Sequence, residues 1–544
     1  VPAAPAGAAT GDAAALREWD TRLEQGACTF PPRFRKAVVW IIDALRYDFL
    51  VPPTNASLAD PYIHGHLRAP LEAATNAPSN AFLAHFPADA PTTTLQRLKG
   101  LTTGSLPTFI EAGANFGGAG RVAEDNWIAQ FRTRVLRERG LDANASTGAG
   151  MAFVGDDTWD MVFSALFDDG RSWPYSSFNV EDLDTVDAGV EEHMLREMQR
   201  PDTSLVIAHS LGVDHVGHRF GPAHPRMVPK LAQMDALVRR VMDQLDDDTL
   251  FVLLGDHGMD ATGDHGGDSE LEVGAGLFMY AKRGLLRGAS AAPLDVEAVR
   301  GADAFAPFAP LDGTHRSVPQ IDLVPTLALL LGVPIPFNNL GTVIPELFGA
   351  HGDELLRALR MNARQVHTYL AKYAEHATDL AAFRTELDAL WHDALRLDAA
   401  YADLAHGAAA RLAAPRRAEA ARYAAQAYAA YTRRAVHHAR SVWAQFADAK
   451  IAAGLVVLGG AVLVTYLLWR AAAYGVDELS VVELGAALRP YAGVGAAVGA
   501  AVAAVCAAAP RFGPLSAWDA TLFFPALGAE LGVVVGAVAR RAPR

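Results

Sequence analysis

Carboxylates and imidazoles gather in three short stretches of this sequence. The first is Val38-Val39-Trp40-Ile41-Ile42-Asp43. The second is Asp214-His215-Val216-Gly217-His218. The third is Asp256-His257-Gly258-Met259, followed by Asp264-His265-Gly266-Gly267. Oxygen and imidazole donors together suit Zn²⁺, with Mn²⁺ the second choice. Asp43, Asp214, His218, Asp256, His257 and His265 divide naturally into two sites. A pair of divalent ions can hold both the attacking and the leaving oxygen of a phosphoryl group. Singly, each residue has an ordinary role as a cap, a turn residue or a buried histidine. Three such clusters, each at or soon after a strand end, are much harder to explain as turns. The neighbouring glycines also give the backbone room to approach an ion.

Phosphoryl chemistry of this kind needs a nucleophile. The segment Pro91-Thr92-Thr93-Thr94-Leu95-Gln96-Arg97-Leu98-Lys99-Gly100-Leu101-Thr102-Thr103-Gly104 offers hydroxyls. A hydroxyl bound to a metal has a lowered pKa, so a threonine there can attack phosphorus without a separate base. Read alone, the same segment is a Thr-rich turn capping a helix.

The elements that must position these residues are strands buried on both faces. Ala37–Ile42, Met151–Val154, Leu205–Ala208 and Leu250–Leu254 are continuous apolar runs, as in a parallel sheet covered by helices. Asp43, Gly155-Asp156-Asp157, His209 and Gly255-Asp256-His257 follow them at once. In open α/β sheets the site lies at the carboxyl ends of the strands, so four such endings point to one site.

The chain has 544 residues, too many for one ordinary domain. Residues 1–36 open on an Ala/Pro/Gly-rich stretch and are expected to be a flexible lead-in. Residues 37–350 carry the α/β pattern. Residues 351–450 have apolar residues at helical spacing over Leu355–Leu397, and long helices are expected, arranged as a hairpin broken near Gly407–Pro415. Residues 451–544 look membrane-embedded. Ile451–Trp469 is uncharged over 19 residues, Tyr491–Ala509 is uncharged and Ala/Gly-rich, and Ala520–Ala539 contains Glu530. About three spans are expected, with buried core helices as the competing reading for the last two. The mean hydropathy of +0.12 agrees with membrane segments. Lys and Arg (47) trail Asp and Glu (61), for a formal charge of −14, which argues against nucleic acid as a partner. Two cysteines, Cys28 and Cys506, cannot build a disulfide framework or a Cys-rich zinc site. The sequons Asn55-Ala56-Ser57 and Asn144-Ala145-Ser146 are compatible with a lumenal domain.

The order of these motifs resembles the alkaline phosphatase superfamily. Longer stretches resemble the GPI ethanolamine phosphate transferases, and among them the type that modifies the third mannose. They are Ile42-Asp43-Ala44-Leu45-Arg46-Tyr47-Asp48, Pro91-Thr92-Thr93-Thr94, Gly104-Ser105-Leu106-Pro107-Thr108-Phe109, Gly155-Asp156-Asp157-Thr158-Trp159, Ser177-Phe178-Asn179-Val180, Asp182-Leu183-Asp184-Thr185-Val186-Asp187 and Gly263-Asp264-His265-Gly266-Gly267-Asp268-Ser269-Glu270-Leu271-Glu272-Val273.

The resemblance implies an alkaline-phosphatase-like α/β fold. A mixed, mostly parallel sheet would be sandwiched by helices and followed by a helical segment and C-terminal transmembrane helices. It implies two zinc ions, one held by Asp43, Thr92, Asp256 and His257, the other by Asp214, His218 and His265. Thr92, directly after the proline, would be the nucleophile, with Thr93 the alternative. Asn115 would bind substrate phosphate, and His215 would support the metal loop rather than ligate. The implied enzyme sits in the endoplasmic reticulum membrane with its catalytic domain in the lumen. It would take phosphoethanolamine from phosphatidylethanolamine onto threonine and pass it to the 6-hydroxyl of the third mannose of a GPI glycolipid. A small membrane subunit is the implied stabilising partner. Trp127, Trp159, Trp173 and Tyr175 are candidates for sugar stacking, with core packing as the competing role. The rival readings are a metal-dependent phosphodiesterase or phosphatase, a transferase acting on the first or second mannose, and a non-catalytic scaffold, which missing ligands would have favoured.

Overall fold

The computed structural model describes residues 29–107, 122–286, 315–348, 352–377, 380–406 and 414–443, with scattered positions between 454 and 493. The chain divides into two compact units, Val1–Ala444 and Gln445–Arg544. The described residues lie almost entirely in the first.

Among the described residues, its centre is a sheet of seven strands: β1 (Lys36–Ile42), β2 (Ala81–Pro87), β3 (Met151–Asp156), β4 (Ser172–Tyr175), β5 (Leu205–Ser210), β6 (Thr249–Leu254) and β7 (Gly274–Tyr280). The order across it is β2-β7-β6-β1-β5-β3-β4. β1 pairs in parallel with β5 and β6, and β3 pairs in parallel with β5 and β4. β7 alone runs antiparallel to both its neighbours, β6 and β2. The sheet is therefore mixed and mostly parallel, as expected. The four strands read from the sequence all form. β2, β4 and β7 were not read from it.

Helices cover both faces. Along β1, Val39 and Ile41 point into one apolar core and Val38, Trp40 and Ile42 into the other. The first core receives Ile128 and Phe131 of a helix at Trp127–Glu138 and the apolar helix Leu323–Leu330. The second receives Val190 and Met194 of Thr185–Met198, and Leu231, Met234 and Val238 of Met227–Gln244. With apolar layers on both sides, a strand needs no polar face, which is why these strands read as unbroken apolar runs.

Among the described residues, the helical segment contains three α-helices, Gly352–Tyr373, Arg384–His406 and Ala414–Trp443. The break expected near Gly407–Pro415 falls mostly on residues 407–413, which lie outside the described residues. A second break around 374–383 divides what the Leu355–Leu397 periodicity suggested was continuous. All three pack onto the first core through residues such as Leu355, Trp391 and Tyr428. Among the described residues, no helix is long and apolar enough to cross a membrane. The expected spans within 451–539 lie outside the described residues.

Candidate metal centre

The parallel register aligns the carboxyl ends of the central strands. Ile42 lies opposite Ser210, and Ile41 opposite Leu254. Asp43, His209 and Asp256 therefore emerge side by side. Because β2 runs in the same direction, its exit leads the threonine segment to the same edge. Thr94 begins helix α1 (Thr94–Thr103), and Asp214 and His218 lie on helix α2 (Gly212–Phe220). Their four-residue spacing puts both on one helical face. Gly263 makes the remaining approach possible. It has φ +90°, and a Cβ there would collide with the Gly217 carbonyl, so only glycine lets the loop carrying His265 lie against α2.

Two clusters result. In the first, Nε2 of His257 lies 3.4 Å from Asp43 Oδ1 and 3.3 Å from Asp256 Oδ2. His209 Nε2 is 3.2 Å from Asp43 Oδ2. In the second, Asp214 Oδ1 lies 3.4 Å from His218 Nε2 and 3.6 Å from His265 Nε2. The rings of His257 and His265 stack with centroids 3.9 Å apart, so the clusters adjoin. Asp43, His209 and Asp256 form one group of ligand-type atoms, and Asp214, His218 and His265 another.

The donor set fits divalent cations. Asp43 Oδ1, Asp214 Oδ1 and Asp256 Oδ2 are buried and have no hydrogen-bond partner among the described residues. A buried carboxylate oxygen without a partner is costly unless a cation completes it. Two imidazoles are set to ligate. His257 Nδ1 donates to the Gly258 carbonyl at 2.9 Å, and His265 Nδ1 donates to the Thr92 carbonyl at 2.9 Å. Each bond leaves the Nε2 lone pair facing the carboxylates. Burial holds both rings neutral, each with its pKa lowered to about 3. Burial also raises the carboxyls of Asp43, Asp214 and Asp256, and Asp256 repels charge on the other two.

Asp43, Asp214, His218, Asp256, His257 and His265 are thus brought together. The threonines are ordered differently from expectation. The Thr92 hydroxyl donates to the Gly267 carbonyl at 2.8 Å and accepts from the Gly266 N–H at 2.9 Å, so it ties the His265 loop in place. The Thr93 hydroxyl bonds the Gln96 side chain. Thr94 Oγ1 is the hydroxyl at the first cluster, 3.5 Å from Asp43 Oδ2 and 3.4 Å from His257 Nε2. Asn115 lies outside the described residues. His215 meets the carbonyls of Asp182 at 2.7 Å and Ser177 at 3.1 Å. Trp127 and Trp159 are buried in the first core, and Trp173 stacks on His193.

His209 was missed as a site residue. Its only mark in the sequence is a polar side chain ending an apolar strand. Gly155 of β3 packs so closely there that a Cβ would collide with the His209 carbonyl. Burial opposes charge on His209, but Asp43 and Asp156 pull its pKa up to about 9. The Trp159 indole N–H, 3.0 Å from Nδ1, works against that charge, because an imidazolium has no lone pair to accept it.

Comparison with known proteins places this centre in a family. A family model described as type I phosphodiesterase / nucleotide pyrophosphatase matches residues 127–272. GPI ethanolamine phosphate transferase 3 of Schizosaccharomyces pombe is 43% identical over 365 residues, covering 67% of this chain and 35% of that protein. The human GPI ethanolamine phosphate transferase 3, catalytic subunit, is 42% identical over 377 residues, covering 67% and 31%. The chain belongs to the GPI ethanolamine phosphate transferase family. That family lies in the alkaline phosphatase superfamily. A GPI ethanolamine phosphate transferase 2, from Eremothecium gossypii, is 36% identical over 349 residues, covering 63% of this chain and 39% of the relative. The chain spans about a third of the length of the transferases it matches.

Proposed function

We propose that this chain transfers phosphoethanolamine from phosphatidylethanolamine to the 6-hydroxyl of the third mannose of a GPI precursor. The observation that carries the reading is the convergence of three partnerless carboxylate oxygens, the Nε2 atoms of His257 and His265, and the Thr94 hydroxyl. The type 3 relatives' higher identity, 43% against 36% for a type 2 relative, supports the third mannose over the second.

Asp43, Asp256 and His257 would hold one zinc, with Thr94 in the position first expected of Thr92. Asp214, His218 and His265 would hold the other. When bound, such ions neutralise charge on the transferring phosphoryl oxygens and lower the pKa of a nearby hydroxyl. Thr94 Oγ1 forms a bond to phosphorus as the bond to the diacylglycerol oxygen breaks, and the diacylglycerol leaves with a proton. In the second half, the mannose hydroxyl oxygen attacks the same phosphorus. The bond to Thr94 breaks, and the proton lost by the sugar restores the threonine hydroxyl. Thr94 also begins α1, whose N-terminal dipole favours negative charge beside it.

The phosphodiesterase-type match over residues 127–272 favours a second reading, in which water replaces the sugar as acceptor. One assay separates the two. Cells lacking the family's third-mannose enzyme are given this protein, and their GPI glycans are analysed by mass. Phosphoethanolamine restored on the third mannose supports the proposal. Addition to the first or second mannose refutes the subtype. Free phosphoethanolamine without any modified glycan supports the hydrolase. The small subunit and the lumenal endoplasmic reticulum location belong to the same proposal, by analogy with the relative described as a catalytic subunit.

A further inference from the structure

The helical segment holds α1, the helix that Thr94 begins, at both ends. At the far end, Gly104 closes α1 with φ +74°. Its carbonyl accepts from the Leu340 N–H at 2.8 Å, and a Cβ on it would collide with the Asn339 side chain. Asn339 is buried and passes the contact on. Its Nδ2 donates to Gln365 Oε1 at 2.9 Å, and Gln365 Nε2 donates to the Asn339 carbonyl at 2.8 Å. Gln365 belongs to the helix Gly352–Tyr373. At the near end the contact is direct. Asp89 lies in the turn between β2 and α1, and its two carboxylate oxygens accept from Nε and Nη2 of Arg440 at 2.8 and 3.1 Å. Arg440 stands in the last turn of the helix Ala414–Trp443. The backbone around Asp89 is tied elsewhere: the Ala88 N–H donates to the Val273 carbonyl at 2.9 Å, and the Thr92 hydroxyl bonds Gly266 and Gly267.

We infer that Arg440 is a positioning residue for Thr94: its guanidinium grips Asp89 by two bonds, and that grip fixes where the turn delivers the threonine to the metal centre. The inference rests on Thr94 being the nucleophile. Two features set this pair apart from an ordinary surface ion pair. Two N–H···O bonds from one guanidinium to one carboxylate fix direction as well as distance. The side chains are also only 27% and 17% exposed, so water competes less for them. A second arginine attracts the same carboxylate. Arg97, one turn into α1, is buried, and its Nε and Nη2 have no hydrogen-bond partner among the described residues. The Asp89 charge favours the guanidinium of Arg97. Without Arg440, that attraction would draw Asp89 toward α1 and shift the turn. A displacement of about 1 Å at a reacting group can cost about 100-fold in rate.

The test uses the full-length protein loaded with zinc. Formation of the phosphoethanolamine adduct on Thr94 is followed by quenched mass spectrometry over a range of phosphatidylethanolamine concentrations in mixed micelles. Arg440→Leu should lower the maximal rate about 10–100-fold, with the half-saturating donor concentration and the bound zinc at wild-type values. Hydrogen exchange of the metal-free protein is the second readout: the peptide covering Asp89–Gln96 should exchange faster in Arg440→Leu. In an Asp89→Asn background, Arg440→Leu should add no more than about a twofold loss, because both residues act through one contact. If Arg440→Leu does not fold, Arg440→Lys decides, with about a tenfold lower maximal rate expected, since an ammonium cannot reproduce the two-bond grip. A wild-type maximal rate or wild-type exchange in the deciding variant overturns the inference while leaving Thr94 as the nucleophile. So does a loss of rate that zinc depletion accounts for, or a full loss on top of Asp89→Asn. A wild-type protein that forms no adduct on Thr94 overturns the nucleophile reading and the inference with it.

Discussion

Thr94 Oγ1 lies 3.4 Å from Nε2 of His257, although the residues are 163 positions apart in sequence. The contact joins the start of α1 to the loop leaving β6. The same helix start separates three adjacent hydroxyls by task. Thr92 bonds the 266–267 backbone, Thr93 bonds Gln96, and Thr94 faces Asp43 and His257.

Thr94→Ala should therefore lower transfer by at least about 10³-fold, as loss of a nucleophile does, while metal content stays at wild type. Thr92→Ala should lower activity less, by loosening the His265 loop and with it metal affinity. Steady-state assays beside metal analysis check this. The opposite ranking would return the nucleophile to Thr92.

The site also depends on a buried ion pair. Lys230 Nζ lies 3.0 Å from Asp187 Oδ2, with side chains only 5% and 1% exposed. The other oxygen, Asp187 Oδ1, accepts from the Gly212 N–H at 3.2 Å and so steadies the start of α2. Lys230→Met leaves Asp187 as a buried unpaired charge and should cost about 3–5 kcal/mol in denaturant unfolding. Adding Asp187→Asn to that variant should recover part of the loss, because the amide oxygen still accepts from Gly212.

Metal uptake should depend on pH through the carboxylates. Without metal, burial raises Asp43, Asp214 and Asp256 above the usual carboxylate range. A raised folded pKa contributes stability below the unfolded value and loses it as pH rises through the folded one. Zinc must displace these protons, so its binding should tighten, and the stabilisation it gives should grow, as pH rises. His257 and His265, lowered to about 3, are already neutral there and release none. Calorimetric titration in buffers of different ionisation enthalpy counts the released protons. Uptake that is independent of pH and releases no protons would contradict this.

Much of this architecture was legible in the sequence for one reason. β1, β3, β5 and β6 are buried on both faces and announce themselves as apolar runs ending in polar residues. β7 was not legible, because Gly276 interrupts its pattern. A side chain there would collide with Leu50. β2 carries His85, whose ring bonds Ser317 at 2.6 Å, and so reads as neither alternating nor apolar. The candidate ligand residues showed because Asp and His recur at short spacing beside glycine. His209 showed only as a polar residue ending an apolar strand, and its contact with Trp159, fifty positions away in sequence, did not show at all. The order of the threonines was hidden too. Three identical side chains differ only in where the start of α1 points them.

The central claim is that Thr94 carries phosphoethanolamine between donor and acceptor. The most direct measurement is peptide mass spectrometry of the zinc-loaded protein after incubation with phosphatidylethanolamine and no sugar acceptor. The account predicts a phosphoethanolamine adduct on Thr94 that disappears when acceptor glycolipid is added. An adduct on Thr92 or Thr93, or transfer with no protein adduct at all, would contradict it.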